Sequence, residues 1–271
     1  MIESNDINNN IPLRFSDRVL EECKMLIESK NDPQCPDYSR FVVVKESEYS
    51  CLMPCHAKQV GDIIEAHFGG CKNINNILDA TAHIGCDTIN FRTRFGANCI
   101  SLEVDQAVHA CLVQNQQAFT DPKDTKQEKQ DQSIEEKLDK QLEALQIYCP
   151  DNNFSVHCNC IEFIAGFKKT MDFVYFDPPW GGPDYRKQKN MMLFLEHKGR
   201  KYPLYTVVTI VFKEGFCKTV VVKTPYNFNM RTFRQMLGKR VKCQTYNVMK
   251  PKKDGDTFAH PAFFITICTL L

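Results

Sequence analysis

From about residue 75 onward, short apolar runs alternate with longer segments in which apolar positions recur at helical spacing. This alternation is typical of parallel β-α-β units. The pattern predicts seven strands: Ile77 to Ala80, Asn98 to Val104, Phe154 to His157, Phe173 to Asp177, Thr219 to Thr224, Val241 to Met249 and Ala262 to Leu270. Helices are predicted between them at Asp87 to Phe95, Gln106 to Phe119, Ile161 to Phe167 and Asn229 to Leu237.

The last two strands are separated by a polar loop rather than a helix, so they are expected to form an antiparallel hairpin beside an otherwise parallel sheet. Residues 205–212 are β-branched, but a crossover between parallel strands requires a helix, which is predicted there. Residues 120–140 are rich in charged and Gln side chains and are predicted to be a solvated insertion.

The N-terminal region has its own pattern. Apolar residues from Val19 to Ile27 share one helical face, with Ser16 as a candidate N-cap, and Phe41 to Val44 is a candidate strand. A second helix is predicted from Ala57 to Phe68, because a glycine pair follows it. Residues 1–56 are therefore interpreted as a helical extension and 57–271 as the main α/β domain.

Composition narrows the class of protein. A chain of 271 residues, 43% hydrophobic, is expected to fold as one domain, here taken as a monomer. Its 34 basic and 33 acidic residues give a net charge of +1, so any nucleic-acid contact should be local. The first fifteen residues lack a signal-peptide pattern, and no long apolar stretch occurs, which predicts an intracellular, soluble protein without membrane contact.

The 14 cysteines are scattered, and reduced thiols are expected. Cys51, Cys55 and His56 lie close together, and Cys158 and Cys160 form a second pair, but no CxxC knuckle occurs. No metal site is predicted.

The most specific motif follows a buried strand and consists of Asp177-Pro178-Pro179-Trp180-Gly181-Gly182. Ligands of open α/β sheets bind at the carboxyl ends of the strands, where this motif falls. The Asp177 carboxylate and the rigidly held Pro178 carbonyl could accept hydrogen bonds from an exocyclic amine of a base. Trp180 offers a stacking surface, and Gly181 leaves room for the base to approach. A turn with a core tryptophan is the alternative.

A second motif runs from Ile77 to Thr88, and Glu103 ends the next predicted strand. A strand, a tight turn and a helix start, with an acid at the tip of the second strand, form a nucleoside-binding frame. In this frame the acid receives the ribose hydroxyls. The residues that would hold the nucleoside group are Asp79, Ala80, Thr81, Gly85, Thr88 and Glu103, with Asp177 at the neighbouring strand.

Both motifs resemble those of the trimethylguanosine synthase family, which methylates the 2-amino group of a 7-methylguanosine RNA cap. That family has Asp-Ala-Phe-Cys-Gly-Val-Gly-Gly-Asn-Thr-Ile-Gln-Phe in its first motif, and Asp79 to Phe91 has the same length and six of its residues. Its second motif is Ser-Pro-Pro-Trp-Gly-Gly-Pro-Asp/Glu-Tyr, and Pro178 to Tyr185 matches throughout. The resemblance covers roughly residues 55–271.

The resemblance implies a Rossmann-like class I methyltransferase fold, S-adenosylmethionine as cofactor, and capped RNA or a cap nucleotide as partner. It also implies donor binding at Asp79, Gly85 and Glu103, stacking of the methylated guanine on Trp180, and a cap-phosphate contact from Tyr185. A 7-methylguanine is cationic, so stacking on an indole would add a cation–π contribution.

Two departures keep other functions open. Asp177 stands where the family has Ser and gives a DPPW tetrapeptide also seen in enzymes similar to adenine N6-methyltransferases. His83 and Cys86 stand where glycines are usual, which suggests a catalytically degenerate binding subunit as a third possibility.

The remaining candidates are weaker. Asn159 and Cys160 follow the third strand, where a side chain often contacts the donor's adenine, although a helix cap explains them too. Arg186 and Lys187 could contact phosphates or belong to a solvated loop. Asn227 follows the fifth strand and is a candidate for lining the base pocket.

Overall fold

The computed structural model describes residues 13–14, 42–44, 51–119, 147–148, 154–167, 169–250 and 260–271. Its strands are β1 (Leu13–Arg14), β2 (Val42–Val43), β3 (Asn76–Asp79), β4 (Asn98–Glu103), β5 (Ile147–Tyr148), β6 (Phe154–His157), β7 (Phe173–Phe176), β8 (Phe194–His197), β9 (Arg200–Pro203), β10 (Thr219–Thr224), β11 (Val241–Met249) and β12 (Pro261–Leu270). Its α-helices are α1 (Pro54–Phe68), α2 (Cys86–Phe95), α3 (Gln106–Ala118), α4 (Cys160–Gly166), α5 (Leu204–Lys213) and α6 (Met230–Leu237).

The central sheet has the order β11-β12-β10-β7-β3-β4-β6-β5. Strands β10, β7, β3, β4 and β6 are parallel, and β12 runs antiparallel to β10 and β11. The seven predicted strands are all present, and the antiparallel hairpin is confirmed. The two-residue strand β5 adds an unpredicted antiparallel edge.

Strand β7 divides the core between the two faces of the sheet. Its four residues are all buried because helices cover both faces. Phe173 and Tyr175 pack in a cluster with α1 and α2, whereas Val174 and Phe176 pack in a cluster with α4 and α5. Alternate residues of a strand point to opposite faces, so this strand joins both halves of the core.

The helix predicted at residues 205–212 is confirmed as α5, which buries Val207, Val208 and Val211 on one side. The topology overrides the strand propensity of these residues, because α5 is the crossover between β7 and β10. The hairpin of β8 and β9 just before it was not predicted.

The N-terminal predictions are tested in part. Leu13–Arg14 pairs as a strand with Val42–Val43, so the predicted N-terminal helical segment does not begin before residue 15, and its positions from Val19 to Ile27 lie outside the described residues. The helix predicted from residue 57 starts earlier, at Pro54, since proline is compatible with a first helical turn, and it ends at Gly69 with φ of 72°. The boundary between the N-terminal extension and the main domain at residue 57 stays a prediction. The predicted solvated insertion, residues 120–140, lies outside the described ranges.

Where the chain is described, no helix combines the length and apolar character needed to cross a membrane.

Asn115 of helix α3 connects the N-terminal strand to the rest of the fold. Its buried side chain accepts a hydrogen bond from the Val42 N–H at 2.7 Å and donates to the Val42 and Ile84 carbonyls at 2.9 and 2.8 Å. One amide thus fixes β2 beside the loop that precedes α2.

We expect the substitution Asn115→Leu to lower the free energy of unfolding by about 2–4 kcal/mol, because it leaves three backbone groups without their partner. Urea unfolding monitored by circular dichroism measures the change. The control is Gln117→Leu, an exposed position on the same helix, which should change stability by less than about 0.5 kcal/mol. Equal effects of the two variants would contradict the structural role of Asn115.

Candidate active site

The candidate site lies at the carboxyl ends of neighbouring strands in the centre of the sheet. Asp79 ends β3, Glu103 ends β4, Asp177 follows β7, and Lys223 is the penultimate residue of β10. The register of parallel pairing brings these ends to one edge, because Asp79 lies beside both Ser101 and Tyr175. This is the edge at which open α/β sheets bind their ligands.

The loop after β3 is held by backbone hydrogen bonds to both neighbouring strands. The Ala80 N–H donates to the Tyr175 carbonyl and the Ala82 N–H to the Leu102 carbonyl, each at 2.9 Å. Gly85 then adopts φ of 95° and starts helix α2. This loop, residues 80–85, is hereafter the donor loop.

Asp79 lies beneath the donor loop and is fully buried. Its Oδ2 accepts a hydrogen bond from the Thr88 hydroxyl at 2.6 Å, and its Oδ1 has no partner that meets hydrogen-bonding geometry. Burial, and secondly the nearby Asp87 carboxylate, raise the pKa of Asp79 to about 8. The carboxyl group therefore organises the start of α2 and is mostly protonated at neutral pH.

Glu103 lies at the tip of β4. Its Oε1 accepts hydrogen bonds from the Val104 and Asp105 N–H groups, both at 2.8 Å. Burial raises the pKa of this side chain, while the backbone donors around it oppose that rise. One carboxylate oxygen thus shapes the turn, and the His83 N–H of the donor loop also acts on this carboxylate.

The donor loop and the Asp177 motif contact each other directly. The Asp177 N–H donates to the Thr81 hydroxyl at 2.7 Å. Pro178 is buried and Pro179 is exposed, so the motif turns away from the sheet immediately after Asp177. The two motifs that the sequence places about a hundred residues apart therefore meet at one point.

An aromatic cluster surrounds Trp180. The partly exposed indole forms edge contacts with Tyr185, at 5.2 Å between ring centroids, and with Phe263, at 6.3 Å. Tyr185 in turn lies 6.4 Å from the exposed ring of Tyr226. Gly181 and Gly182 have positive φ, and a Cβ at either position would meet nothing within 4 Å. The two residues that follow the indole therefore leave open space beside the main chain.

Lys223 is the residue of this site that the sequence analysis missed. Its side chain is 5% exposed, and its Nζ lies 2.7 Å from Asp177 Oδ2 and 3.4 Å from Asp87 Oδ2. The Tyr175 hydroxyl donates to Asp87 Oδ1 at 3.0 Å. A cation within the apolar run of a central strand was the available signal, because buried lysines are almost always paired.

Asn159 and Cys160 lie at the same edge, at the end of β6, but their groups are already engaged. Asn159 Oδ1 accepts from the Ile161 N–H as the N-cap of α4, and its Nδ2 donates to the Glu196 carbonyl at 2.6 Å. Cys160 is buried, which raises the pKa of its thiol to about 12. Asn159 here caps a helix and anchors β8, and its contact with a cofactor stays a prediction.

Three of the predicted substrate residues, Tyr185, Arg186 and Lys187, lie in the 3-10 helix Pro183–Lys187. A fourth, Asn227, lies outside it. Arg186 and Lys187 are exposed; the Arg186 guanidinium lies over the Tyr185 ring, and Lys187 pairs with Asp184 at 2.7 Å. Asn227 donates to the Tyr185 and Gln188 carbonyls at 2.7 and 2.8 Å. Asn227 therefore holds this 3-10 helix against the site.

Within the described ranges, no group of three or more His, Cys, Asp or Glu side chains is arranged to hold a metal ion.

We expect Gly85→Ala to destabilise the protein by about 1 kcal/mol more than Gly96→Ala. Both glycines have positive φ at the two ends of α2, but only at Gly85 would a Cβ approach a side chain, Leu112 Cδ1, at 2.8 Å. Thermal unfolding of the two variants measures the difference. Equal melting temperatures would show that the donor loop is not closely packed on α3.

Known proteins were compared with the chain in sequence and in structure. A family model described as RNA cap guanine-N2 methyltransferase matches residues 74–264. "Uncharacterized protein L320" of Acanthamoeba polyphaga mimivirus is 33% identical over 66 residues, which are 24% of each chain. The chain thus spans about a quarter of that curated relative in the match.

Two solved structures are similar in fold. Precorrin-6y C5,15-methyltransferase from Geobacter metallireducens superposes with a TM-score of 0.51 and 13% identity, covering 89% of this chain and 100% of that one. A SAM-dependent methyltransferase from Agrobacterium tumefaciens superposes with a TM-score of 0.50 and 11% identity, covering 81% and 63%. The chain therefore has the fold of class I S-adenosylmethionine-dependent methyltransferases and belongs to the RNA cap guanine-N2 methyltransferase family.

Proposed function

We propose that the protein methylates the 2-amino group of guanine in a 7-methylguanosine RNA cap. The observation that carries this proposal is the contact between the donor loop and the Asp177 motif, through the Asp177 N–H and the Thr81 hydroxyl. It brings the nucleoside-binding frame and the tip Pro178 to Tyr185 to one edge of the sheet.

The cofactor is S-adenosylmethionine, which supplies an electrophilic methyl group on its sulfonium. The residues present fit this cofactor. Glu103 lies at the tip of β4, where its carboxylate can accept hydrogen bonds from the ribose hydroxyls. Asp79, Thr88 and Gly85 fix the donor loop where it enters α2, and we propose that this loop holds the nucleoside part of the cofactor.

Toward the acceptor base, the protein mainly aligns the amine and contributes little acid–base catalysis. Asp177 Oδ2 is engaged by Lys223, so Asp177 Oδ1 and the Pro178 carbonyl are the acceptors left for the two N–H groups of an exocyclic amine. Holding the amine by both hydrogens directs the nitrogen lone pair at the methyl group. The nitrogen becomes acidic on methylation, so its proton can pass to Asp177 or to water.

Trp180 is proposed to stack on the methylated guanine. Stacking contributes about 1–3 kcal/mol per base, and the positive charge of 7-methylguanine adds a cation–π attraction. The open space beside Gly181 gives the base a path to the indole. Together these features favour a methylated cap over an unmethylated one.

The cap phosphates are proposed to meet the exposed edge formed by Tyr185, Arg186 and Lys187. Arg186 is held over the Tyr185 ring, so its guanidinium is oriented before a ligand arrives. Phosphate contacts of this kind position a substrate without reading its sequence. The overall net charge of +1 is consistent with recognition of a short end rather than a long RNA.

The direct test incubates the protein with labelled donor and three acceptors: a 7-methylguanosine cap analogue, the same analogue without the 7-methyl group, and an uncapped adenine-containing oligonucleotide. Mass analysis of the released nucleosides should find N2-methylated 7-methylguanosine with the first acceptor alone.

Adenine N6 methylation is the second candidate, and Asp177 in place of the family's Ser favours it. Label on adenine without label on the cap would establish that activity and overturn cap methylation. Donor binding without transfer to any acceptor would instead favour a degenerate binding subunit.

We expect Trp180→Ala to weaken binding of the 7-methylguanosine cap by about tenfold to a hundredfold, because stacking is lost. Affinity for S-adenosylhomocysteine should change less than about threefold. Isothermal titration of each ligand measures both, and Trp180→Phe should retain part of the cap affinity. Equal loss of both ligands in the Ala variant would mean that the indole, which also packs on the core, is only structural.

A further inference from the structure

Among the described residues, Lys223 is the only lysine or arginine that is buried, and it lies between helix α2 and the Asp177 motif. It lies in β10, whose six residues are all buried, and its Nζ lies 5.1 Å from the centroid of the Phe263 ring. A lysine in such a place is retained only when its charge is compensated, because an unpaired buried ammonium is very costly.

The compensation comes from two carboxylates on different elements. Asp177 directly follows β7, and Asp87 belongs to the first turn of α2. Lys223 Nζ contacts Oδ2 of each, at 2.7 and 3.4 Å. The Tyr175 hydroxyl binds the other oxygen of Asp87, so that carboxylate cannot rotate freely.

The contact at Asp177 is selective between its two oxygens. Oδ2 is bound to Lys223, and the Trp180 indole N–H lies near the same carboxylate. The main-chain N–H of the same residue is bound to Thr81. Both ends of Asp177 are therefore fixed, and Lys223 itself occupies a single carboxylate oxygen.

Other titratable groups face the pair from every element packed against it. Burial raises the pKa of Asp177 to about 6 and the positive charge of Lys223 opposes this rise. Burial, and secondly the positive charge of Lys223, lower the pKa of the His56 and His83 imidazoles to about 4, so both are neutral at pH 7. The facing groups are Asp79 below the donor loop, Asp87 on α2, Tyr175 on β7, His56 on α1 and His83 in the donor loop.

We propose that Lys223 is a positioning residue for methyl transfer. Its ammonium group keeps Asp177 anionic and fixes the rotamer that presents Oδ1. It also connects the Asp177 motif to helix α2. The proposal rests on the proposed function only for the use of Oδ1 as the acceptor of the amine hydrogens. The electrostatic part is a property of the free protein.

The chain provides its own reporter of this charge, because Trp180 is the only tryptophan. The indole N–H lies close enough to the Asp177 carboxylate to lower its pKa, although it does not meet hydrogen-bonding geometry. Indole emission depends on nearby charge. Fluorescence against pH in the ligand-free protein therefore follows the ionisation of Asp177.

The wild-type protein should show a transition with a midpoint at or below about pH 6, and Asp177→Asn should remove it. Lys223→Met removes the cation and should move the midpoint upward by at least about one pH unit, a tenfold change in the ionisation constant. Lys223→Arg keeps the cation and should restore the wild-type midpoint. The matched control is Lys218→Met, an exposed lysine just before the same strand.

An unchanged midpoint in Lys223→Met would overturn the proposal, as would a wild-type transition that survives Asp177→Asn. If Lys223→Met does not fold, the midpoint of the wild-type fluorescence transition still tests the proposal. A midpoint above about pH 7, assigned to Asp177 by its Asn variant, would show that Lys223 does not hold the carboxylate as an anion.

Kinetics then test the positioning role. Lys223→Met should lower kcat for cap methylation at least tenfold, change KM for the donor less than about threefold, and shift the acid limb of the kcat profile by the same interval as the fluorescence. Unchanged kcat would refute the role in positioning. If the wild-type protein methylates no acceptor, the proposed function fails, whereas the fluorescence result still decides the electrostatic part.

Discussion

Charges buried at the carboxyl edge of the sheet constrain the rest of this structure. An ammonium and two carboxylates from three separate elements can lie in the interior only if each meets its partner at hydrogen-bonding distance, because removing one partner leaves an uncompensated charge that costs about 3–5 kcal/mol. Lys223, Asp177 and Asp87 satisfy this condition only while β10, β7 and α2 keep their relative positions. Strand β12 helps to fix them by pairing along the whole of β10, and Phe263 from that strand lies against the ammonium. The same contacts therefore fix both the packing of the sheet and the geometry of the site.

How far the sequence predicted the fold depends on which interactions decide each element. Local pattern located the seven main strands because buried parallel strands are apolar runs bounded by turns. Topology was needed for α5, whose β-branched residues favour a strand until the crossover between parallel neighbours is considered. The hairpin of β8 and β9 escaped prediction because its turn has Lys198 and Gly199, both with positive φ, where Asn-Gly or Asp-Gly is the usual signal.

The site was predictable to a similar degree. The Asp177 motif, the donor loop and Glu103 follow strands, and the rule that ligands bind at carboxyl ends brings them together. What single-sequence reasoning could not give is the use of each polar group. Asn227 and Asn159 lie at the expected edge, yet their amides anchor neighbouring segments. Lys223 interrupts the apolar run of β10, but its partners lie 46 and 136 positions away in the chain, so the sequence alone could not identify them.

In the proposed mechanism, donor and acceptor meet between the donor loop and the Asp177 motif. A crystal structure with S-adenosylhomocysteine and a 7-methylguanosine cap dinucleotide tests it most directly. We expect the purine to stack on Trp180 and its 2-amino nitrogen to donate a hydrogen bond to Asp177 Oδ1. That nitrogen should lie about 3–4 Å from the position of the transferred methyl group. A cap bound away from the carboxyl ends of β3 and β7, or a donor whose ribose does not contact Glu103, would contradict it.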